Sequence, residues 1–277
     1  MKKTYLLAAA AVAVFCAPLA TSFARVSDPP VYLQRCAQYV SEHPELTPDE
    51  LRLALALRLY EQSYQNTEIV KDPASVCVYV GKHFALPEGY APASLVAVDE
   101  AYAMKGVTLR SDCYAAFLKM ARAMELNGFP PYIKVGYRVN KPKSDPDDMW
   151  NAWPNHSEHQ LGLAFDLRLK NETHGLLRNY EYEKTAEYAW LCKNAYKYGF
   201  ILSYPEGKED ITGFYFEPWH WRYVSVPIAT DMKEKGFATF PEYWATYLKN
   251  DGMGAIANIS FASPPPDTSG CICAEER

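Results

Sequence analysis

Apolar and polar positions alternate strictly from Leu161 to Leu169, within the stretch HSEHQLGLAFDLRL. A period of two is typical of a β-strand with one apolar face. The other face of this predicted strand carries the carboxylate of Asp166 beside the small residues Gly162 and Ala164. Charged side chains are rarely buried without a partner, so this face indicates a partner or a chemical role for Asp166.

The remaining segments mix helical and strand periods. Ser111 or Asp112 can cap a helix that ends at Asn127-Gly128. Residues 181–198 predict a second helix, with Gly199 at its end. Three further segments are strand-like: 132–139, 199–205 and 213–224. Helices and strands without regular βαβ alternation indicate an α+β fold.

The N-terminal residues 1–24 have the pattern of a secretory signal peptide. Two lysines precede an apolar run, and small residues lead to a predicted cleavage after Ala24. Cys16 raises lipidation as an alternative, against which the bulky Phe15 argues. We therefore expect an exported protein, periplasmic, extracellular or associated with the cell wall.

Three segments follow the predicted signal peptide. Residues 25–73 predict a helical prefix, in which Thr47–Glu50 forms a capping box with proline at the first helical position. Residues 74–249 form the main domain. Residues 250–277 contain the stretch SFASPPPDTSG and predict a flexible tail.

Composition and charge narrow the possible partners. The 277 residues are 49% hydrophobic and 22% charged, which is ordinary for a globular protein. The formal net charge is −5 and becomes about −7 without the two signal-peptide lysines. No basic cluster remains, which argues against nucleic acid or an anionic membrane as partner. No segment after the signal is long and apolar enough to span a bilayer. We expect a monomer.

An even number of cysteines permits disulfides in an exported protein. Cys36 with Cys77 is the preferred bridge, since both lie in the N-terminal segment. Cys113 and Cys192 lie in helical patterns and are expected to be buried thiols. Six cysteines follow the predicted cleavage site: Cys36, Cys77, Cys113, Cys192, Cys271 and Cys273. Their pairing stays open.

His159 precedes Asp166 by seven positions, so an unbroken strand would direct the two side chains to opposite faces. Gly162 lies between them and can adopt a bend that bulkier residues resist. With that bend, the imidazole reaches the face of the carboxylate. A lone histidine near a strand is more often a hydrogen-bonded structural residue, so this stretch alone does not identify a functional site.

A second cluster occurs in FEPWHWRYV, where Glu217 and His220 flank Pro218 and Trp219. Alone, it also fits a strand end with aromatic packing and a surface glutamate. Together, the two clusters supply two imidazoles, one carboxylate ligand and one spare carboxylate. A catalytic zinc takes three protein ligands and keeps one open position for water. The His-Glu-x-x-His motif is absent, which excludes the usual helical zinc protease.

The stretches SEHQLGLAFD and EPWHWRYV strongly resemble zinc-dependent D-alanyl-D-alanine carboxypeptidases of the VanY type, which are peptidoglycan metallopeptidases of the LAS type. Further blocks, among them LPEGYAPASLVAVD and the central GYR, extend the resemblance over roughly residues 74–247. It implies a small antiparallel sheet flanked by helices around a zinc site.

The resemblance also implies roles for individual residues. His159, Asp166 and His220 match the ligands of one zinc ion per chain, and Glu217 matches the base that activates water.

Arg138 matches the arginine that binds the terminal carboxylate and the scissile carbonyl, as a planar guanidinium does well. Ser157 matches the motif serine, which is expected to orient substrate or a ligand, and Trp219 is expected to form a wall of the pocket. The chain departs from the family in continuing as YRVNKPKSDP, without the usual Ser and Gln, and in a short segment before Ser157. These differences concern substrate choice.

Other polar residues are expected to be structural or solvated. His156 is assigned to a loop near the site, and Glu158 and Asp147-Asp148 to solvent, although acidic residues at a cleft rim can tune substrate choice. Three histidines are expected to be structural or exposed: His43, His83 and His174.

The sequence therefore predicts an exported zinc carboxypeptidase that removes a C-terminal D-amino acid, D-alanine, from peptidoglycan stem peptides. The nearest alternative is the same hydrolysis at another bond, by an L,D-carboxypeptidase or an endopeptidase. A non-catalytic zinc-bearing binding domain would not need Glu217. A structural envelope protein without metal would have no use for Asp166 and both histidines.

Overall fold

The computed structural model describes residues 31–169 and 179–249. The predicted signal peptide and tail lie outside the described residues, and so do Cys16, His174 and the two C-terminal cysteines. Within the described ranges, no helix is long and apolar enough to cross a membrane.

Two helices form the first part of the described chain, α1 (Val31–Glu42) and α2 (Pro48–Leu57). The predicted capping box is present before α2, because the Thr47 side chain accepts from the Glu50 amide while the Glu50 carboxylate accepts from the Thr47 amide. Glu61 accepts a hydrogen bond from Arg35 at 2.9 Å and so connects α1 to the segment after α2.

A four-stranded antiparallel sheet with the order β5-β6-β8-β7 lies at the centre of the molecule. Its strands are β5 (Tyr132–Val135), β6 (Ala164–Arg168), β7 (Phe200–Leu202) and β8 (His220–Tyr223). Two smaller pairs precede it: β1 (Glu68–Ile69) with β2 (Phe84–Ala85) in parallel, and β3 (Leu95–Ala97) with β4 (Thr108–Arg110) antiparallel.

Helices flank this sheet. The longest is α3 (Ser111–Leu126), and the others are α4 (Ala186–Asn194), α5 (Glu209–Thr212), α6 (Val226–Lys235) and α7 (Phe240–Tyr243). The predicted α+β fold with a small antiparallel sheet is thereby confirmed.

The main core lies between α3 and the central sheet. Phe165 on β6 contacts the ring of Phe117 on α3 and that of Phe200 on β7, each with centroids 5.2 Å apart. All three rings are fully buried. The apolar face predicted from the alternation is therefore the face that packs on α3 and holds β6 in place.

Several element boundaries differ from the sequence-based prediction, and the strands expected over 132–139 and 199–205 are shortened to β5 and β7. The helix expected over 181–198 is divided, because Thr185 caps a new helix start and leaves 3₁₀ turns at 179–184 and 195–198. The strand expected over 213–224 covers only β8, since Pro218 has no amide to donate to a ladder.

The strand expected from Leu161 onward is also shorter. Residues Glu158–Leu161 form a 3₁₀ turn, which ends at Gly162 with φ +68° and ψ 12°, and β6 begins only at Ala164. The Gly162 carbonyl accepts from the Arg110 amide at 2.9 Å. The predicted bend at Gly162 is confirmed, but it ends a helical turn instead of bending a strand.

The preferred bridge between Cys36 and Cys77 is wrong, because both residues are thiols in the structure. Cys36 is buried in a small cluster with Tyr60, whose hydroxyl is its hydrogen-bond neighbour. Cys77 lies in a separate segment, where its amide donates to the Ser75 hydroxyl. The prediction of a buried thiol is confirmed for Cys113, and burial raises the pKa of that thiol. It is wrong for Cys192, which is only partly buried.

We predict that Gly162→Ala lowers the free energy of unfolding by more than the roughly 1–2 kcal/mol expected for alanine at a left-handed position. A Cβ there would lie 3.0 Å from Leu95 Cδ2 and 3.1 Å from the Arg110 amide nitrogen. Gly207→Ala is the matched control, because Gly207 has φ +73° and nothing within 4 Å of its Cβ position. Urea denaturation of both variants makes the comparison, and an equal loss would contradict a packing role for Gly162.

Candidate metal centre

Two neighbouring strands bring the first two candidate ligands together. Asp166 on β6 and His220 on β8 are directly opposite each other in the antiparallel register. Directly opposite residues have Cβ atoms about 4.5–5.5 Å apart and point to the same face. The two side chains can therefore contribute to one site, although they are 54 positions apart in the sequence.

The third candidate ligand, His159, comes from the 3₁₀ turn before β6. The turn ends at Gly162, so the chain reverses and the His159 ring meets the same face as Asp166. One donor atom from each of His159, Asp166 and His220 lies within 4.8 Å of the others. The two imidazole planes are nearly perpendicular, at 88°, with centroids 4.8 Å apart.

Asp166 Oδ1 is the atom that both rings face. It lies 2.9 Å from His220 Nδ1 and 3.3 Å from His159 Nε2. Burial opposes the charged form of this carboxylate, but both histidines outweigh that effect and hold its pKa well below the usual range. The site therefore contains a carboxylate that stays ionised at neutral pH.

In each histidine, the ring nitrogen that points away from Asp166, here called the outer nitrogen, is hydrogen-bonded to an oxygen. His159 Nδ1 lies 2.9 Å from the Gly136 carbonyl, which only accepts, so this nitrogen carries the proton. His220 Nε2 lies 3.1 Å from Glu158 Oε2, which also accepts. Each ring is thus oriented with its other nitrogen toward the shared centre. Such outer hydrogen bonds set the tautomer of metal-binding histidines.

Gly136 lies within the strand expected over 132–139 but directly after β5 in the structure, and its role depends on packing. A Cβ at this position would lie 2.4 Å from the Thr108 carbonyl oxygen and 2.9 Å from Val107 Cγ1. Only glycine allows the chain to approach β4 this closely and to keep its carbonyl on His159.

The expectation that Glu158 is solvated is wrong. It is only 4% exposed, and its carboxylate accepts from Arg222 Nη1 at 2.9 Å and from Ser203 Oγ at 2.6 Å. Burial alone would raise the pKa of Glu158, but Arg222 and His220 together lower it to about 2. Because Arg222 is 64 positions away in the sequence, no local pattern predicts the Glu158–Arg222 pair.

His220 is held between two ionised carboxylates. Its burial disfavours the imidazolium, but hydrogen bonds to Asp166 and Glu158 outweigh burial and raise the pKa of His220 to about 10. This part of the site therefore favours a positive charge. A divalent cation satisfies the same electrostatic demand.

The donor set fits a zinc ion. Zinc binds imidazole nitrogen and carboxylate oxygen, and its catalytic sites use three protein ligands. The three candidate donors come from one buried face and have fixed outer partners.

Glu217 lies beside this centre and belongs to no ion pair shorter than 3.7 Å in the described part of the chain. That distance joins its Oε2 to His220 Nδ1. Burial raises the pKa of Glu217 to about 8; Asp166 adds to this shift, and His220 and Arg138 oppose it. A carboxylate of such raised pKa accepts and releases a proton near neutral pH.

A cavity of about 280 Å³ opens over the centre. All seven residues singled out from the sequence line it: Arg138, Ser157, His159, Asp166, Glu217, Trp219 and His220. Six further lining residues were not predicted: Asn140, Trp150, Asn151, Ala152, Tyr204 and Phe214. Arg138 is exposed, whereas Ser157 and Trp219 are buried. The structure thus brings the predicted set together around one space.

His156 is not among the cavity-lining residues. Its ring is buried, and Nδ1 lies 2.7 Å from the Gly81 carbonyl. This placement agrees with the structural role expected from the sequence.

Comparison with known proteins decides the family. A family model described as VanY, D-alanyl-D-alanine carboxypeptidase, matches residues 106–226. The putative carboxypeptidase YodJ of Bacillus subtilis is 33% identical over 198 residues, which are 66% of this chain and 71% of the relative. The chain belongs to the VanY family. It is a metallopeptidase of the D-alanyl-D-alanine carboxypeptidase type, as the sequence motifs predicted.

Two solved structures agree with this assignment. The LdcB LD-carboxypeptidase superposes with a TM-score of 0.56 and 30% identity, over 65% of this chain and 90% of that protein. A vancomycin-resistance D,D-pentapeptidase VanY in complex with Zn(II) gives a TM-score of 0.50 and 26% identity, over 61% and 98% of the two chains.

We predict that Glu158→Gln lowers the free energy of unfolding by about 3 kcal/mol or more, because Arg222 then loses the only charged partner it has among the described residues. Glu187→Gln is the matched control. Glu187 is also buried but accepts from the Tyr182 hydroxyl at 2.8 Å, and burial raises its pKa to about 7. An amide there should cost less than about 1 kcal/mol. Equal losses in urea denaturation would refute the special role of the Glu158–Arg222 pair.

Proposed function

We propose that this protein is a zinc-dependent carboxypeptidase that releases a C-terminal D-amino acid from peptidoglycan stem peptides. The observation that carries the proposal is the meeting of Asp166 with both histidines on one buried face, next to the buried carboxylate of Glu217. One zinc ion would be held by His159 Nε2, Asp166 Oδ1 and His220 Nδ1. When bound, zinc supplies a Lewis acid that lowers the pKa of a coordinated water to about 7.

In this proposal Glu217 moves the proton. Its carboxylate takes a proton from the attacking water and then gives it to the amine that leaves. Two features support this role: the 3.7 Å distance from Oε2 to His220 Nδ1, and the raised pKa of about 8 that burial causes. A binding domain without catalysis would have no use for a buried carboxylate that is costly to ionise.

Arg138 is proposed to bind the free carboxylate at the end of the substrate. Its guanidinium lines the cavity from an exposed position, and in the described part of the chain no carboxylate lies within 4 Å of it. A guanidinium holds a carboxylate through two parallel hydrogen bonds. Ser157 and Trp219 would complete the pocket, the first as a polar contact and the second as an apolar wall.

The similar proteins differ in the bond that they cleave, and they therefore support two candidate substrates for this protein. The VanY family model and the D,D-pentapeptidase structure favour cleavage between two D-residues. The likeness to the LdcB LD-carboxypeptidase, at 30% identity, favours cleavage after an L-residue as the second candidate. Both reactions release a D-amino acid with a free carboxylate, so the proposed role of Arg138 is the same in each.

The proposal extends to the organisation of the chain. Residues 1–24 would direct export, residues 25–73 would form a prefix to the peptidase domain at 74–249, and residues 250–277 would form a tail. Export to the periplasm, the cell wall or the medium fits a peptidoglycan substrate, which lies outside the cytoplasm. The enzyme would act as a monomer.

The experiment that tests this function is mass spectrometry of defined muropeptides after incubation with the zinc-loaded protein. We predict that a pentapeptide stem loses one D-alanine, whereas a tetrapeptide stem is cleaved more slowly. Faster cleavage of the tetrapeptide would reverse the order of the two candidates. Cleavage of neither stem would refute both, and internal cleavage of the stem would indicate an endopeptidase.

A further inference from the structure

One wall of the reaction cavity is a segment without regular secondary structure. Residues 140–156, here called the wall segment, contribute four of the cavity-lining residues: Asn140, Trp150, Asn151 and Ala152. The structure describes all of residues 136–157 and has no helix or strand among them. The ladder of a helix or a sheet therefore does not determine where this wall lies. Contacts with neighbouring segments do so instead.

An aromatic stack anchors the wall segment from outside the catalytic centre. The ring of Trp153 lies almost parallel to the ring of Tyr64, with centroids 4.5 Å apart and planes at 4°. Tyr64 also meets the ring of His156 edge-on, at 5.0 Å and 89°. Stacked and edge-to-face arrangements at such distances are favourable beyond the area that they bury. One tyrosine thus contacts two side chains of the wall segment.

Lys82 makes further contacts with the same region. Its Nζ donates to the Pro146 carbonyl at 3.4 Å and lies over the rings of Tyr64 and Phe214, 5.7 Å from each centroid. Phe214 lines the cavity as well. Lys82 is only 8% exposed, so water screens the attraction between its ammonium and the two ring faces only weakly. Lys82 therefore joins Tyr64, the wall segment and the cavity.

The backbone at Tyr64 indicates that its surroundings hold it in place. Tyr64 has φ +63°, in the left-handed region that bulky residues rarely adopt. Its amide donates to the Lys82 carbonyl at 2.9 Å, which keeps the two anchoring residues side by side. Such a conformation persists only where the neighbouring contacts outweigh its cost.

From these contacts we propose that Tyr64 and Lys82 are positioning residues for the substrate, which hold the wall segment at the cavity and thereby set the affinity for the stem peptide. The inference rests on the proposed function. The family model begins its match at residue 106, so both residues lie outside the segment that it matches. Tyr64 belongs to the predicted helical prefix, which accordingly contributes to the substrate site.

The catalytic centre has supports of its own, so loosening of the wall affects binding more than chemistry. His159 is held by the Gly136 carbonyl and His220 by Glu158, and neither of these partners belongs to the wall segment. A change that weakens contacts present in both the ground state and the transition state raises KM and leaves kcat unchanged. This split separates the proposed role from a defect at the metal site.

The main test replaces Tyr64 by leucine, which keeps an apolar side chain but removes the stack. In the zinc-loaded protein, KM for the stem peptide should rise about 2- to 10-fold, the effect of one aromatic pair, while kcat changes by less than about twofold. Tyr64→Phe retains the ring and both ring contacts, so its KM should stay within about twofold of the wild type.

Lys82→Met tests the same anchor independently, and it serves as the test if Tyr64→Leu does not fold. Methionine keeps an unbranched chain but removes the ammonium, and with it the contacts to Pro146 and to the two rings. KM should rise while kcat stays within about twofold. Tyr60→Leu is the matched control, because Tyr60 is also partly buried but packs in the cluster around Cys36. Its KM and kcat should equal those of the wild type.

Amide hydrogen exchange gives a readout that does not depend on turnover. The amides of Trp150 and Asn151 donate to the Asp148 carboxylate and so report the order of the wall segment. In Tyr64→Leu and Lys82→Met these amides should exchange about 2- to 10-fold faster, because local opening costs less. In Tyr64→Phe and Tyr60→Leu their exchange should be unchanged.

A merely structural role gives a different pattern. If Tyr64→Leu lowers the melting temperature but leaves KM at the wild-type value, the inference is overturned, whether or not exchange becomes faster. An equal rise of KM in Tyr60→Leu would also overturn it, since general destabilisation would then explain both variants. Absence of hydrolysis by the wild type would overturn the proposed function together with the inference. Normal hydrolysis with unchanged KM in both anchor variants would overturn the inference alone.

Discussion

The buried ion pair between Glu158 and Arg222 is the interaction on which the rest of the site depends. Arg222 has no exposed surface, and it donates to Glu158 at 2.9 Å and to the Val78 carbonyl at 2.8 Å. Ala164 lies opposite Arg222 in the sheet register and leaves room for the guanidinium. Such a pair adds little net stability compared with apolar packing, but the loss of one partner is costly because the other charge stays buried.

The Glu158–Arg222 pair influences the proposed metal site through His220. The second oxygen of Glu158 fixes Nε2 of that ring at 3.1 Å, and the 3₁₀ turn that carries Glu158 also carries His159. A single turn of chain thus supplies one candidate ligand and orients another. Together with the Gly136 carbonyl, it holds the three donors in place through the protein's own hydrogen bonds.

The pattern around Gly162 and the distant Glu217–His220 cluster each showed polar residues that strand packing alone does not require, but neither identified a ligand. The three candidate ligands followed from the resemblance to the VanY family, which both clusters carry. Reasoning from the local pattern failed for Glu158, since acidic side chains are usually solvated and the charge that buries this one comes from a distant strand. Tyr64 was missed for a similar reason, because its stack on Trp153 joins segments that are distant in the sequence. The shortened strands reflect Pro218 and the turn at Gly162, where local backbone limits override an apolar pattern.

The most direct test of the proposed catalytic centre is the turnover of Glu217→Gln, expressed per bound zinc, on the stem peptide that the wild type cleaves. The amide is isosteric and is not one of the three proposed ligands, so the variant should bind about one zinc per chain, as a site with three protein ligands does. Its turnover should fall by at least about 10²-fold, because an amide cannot accept the proton from water. Wild-type turnover at full zinc occupancy would contradict the proposed role of Glu217, and loss of zinc would contradict the proposed ligand set.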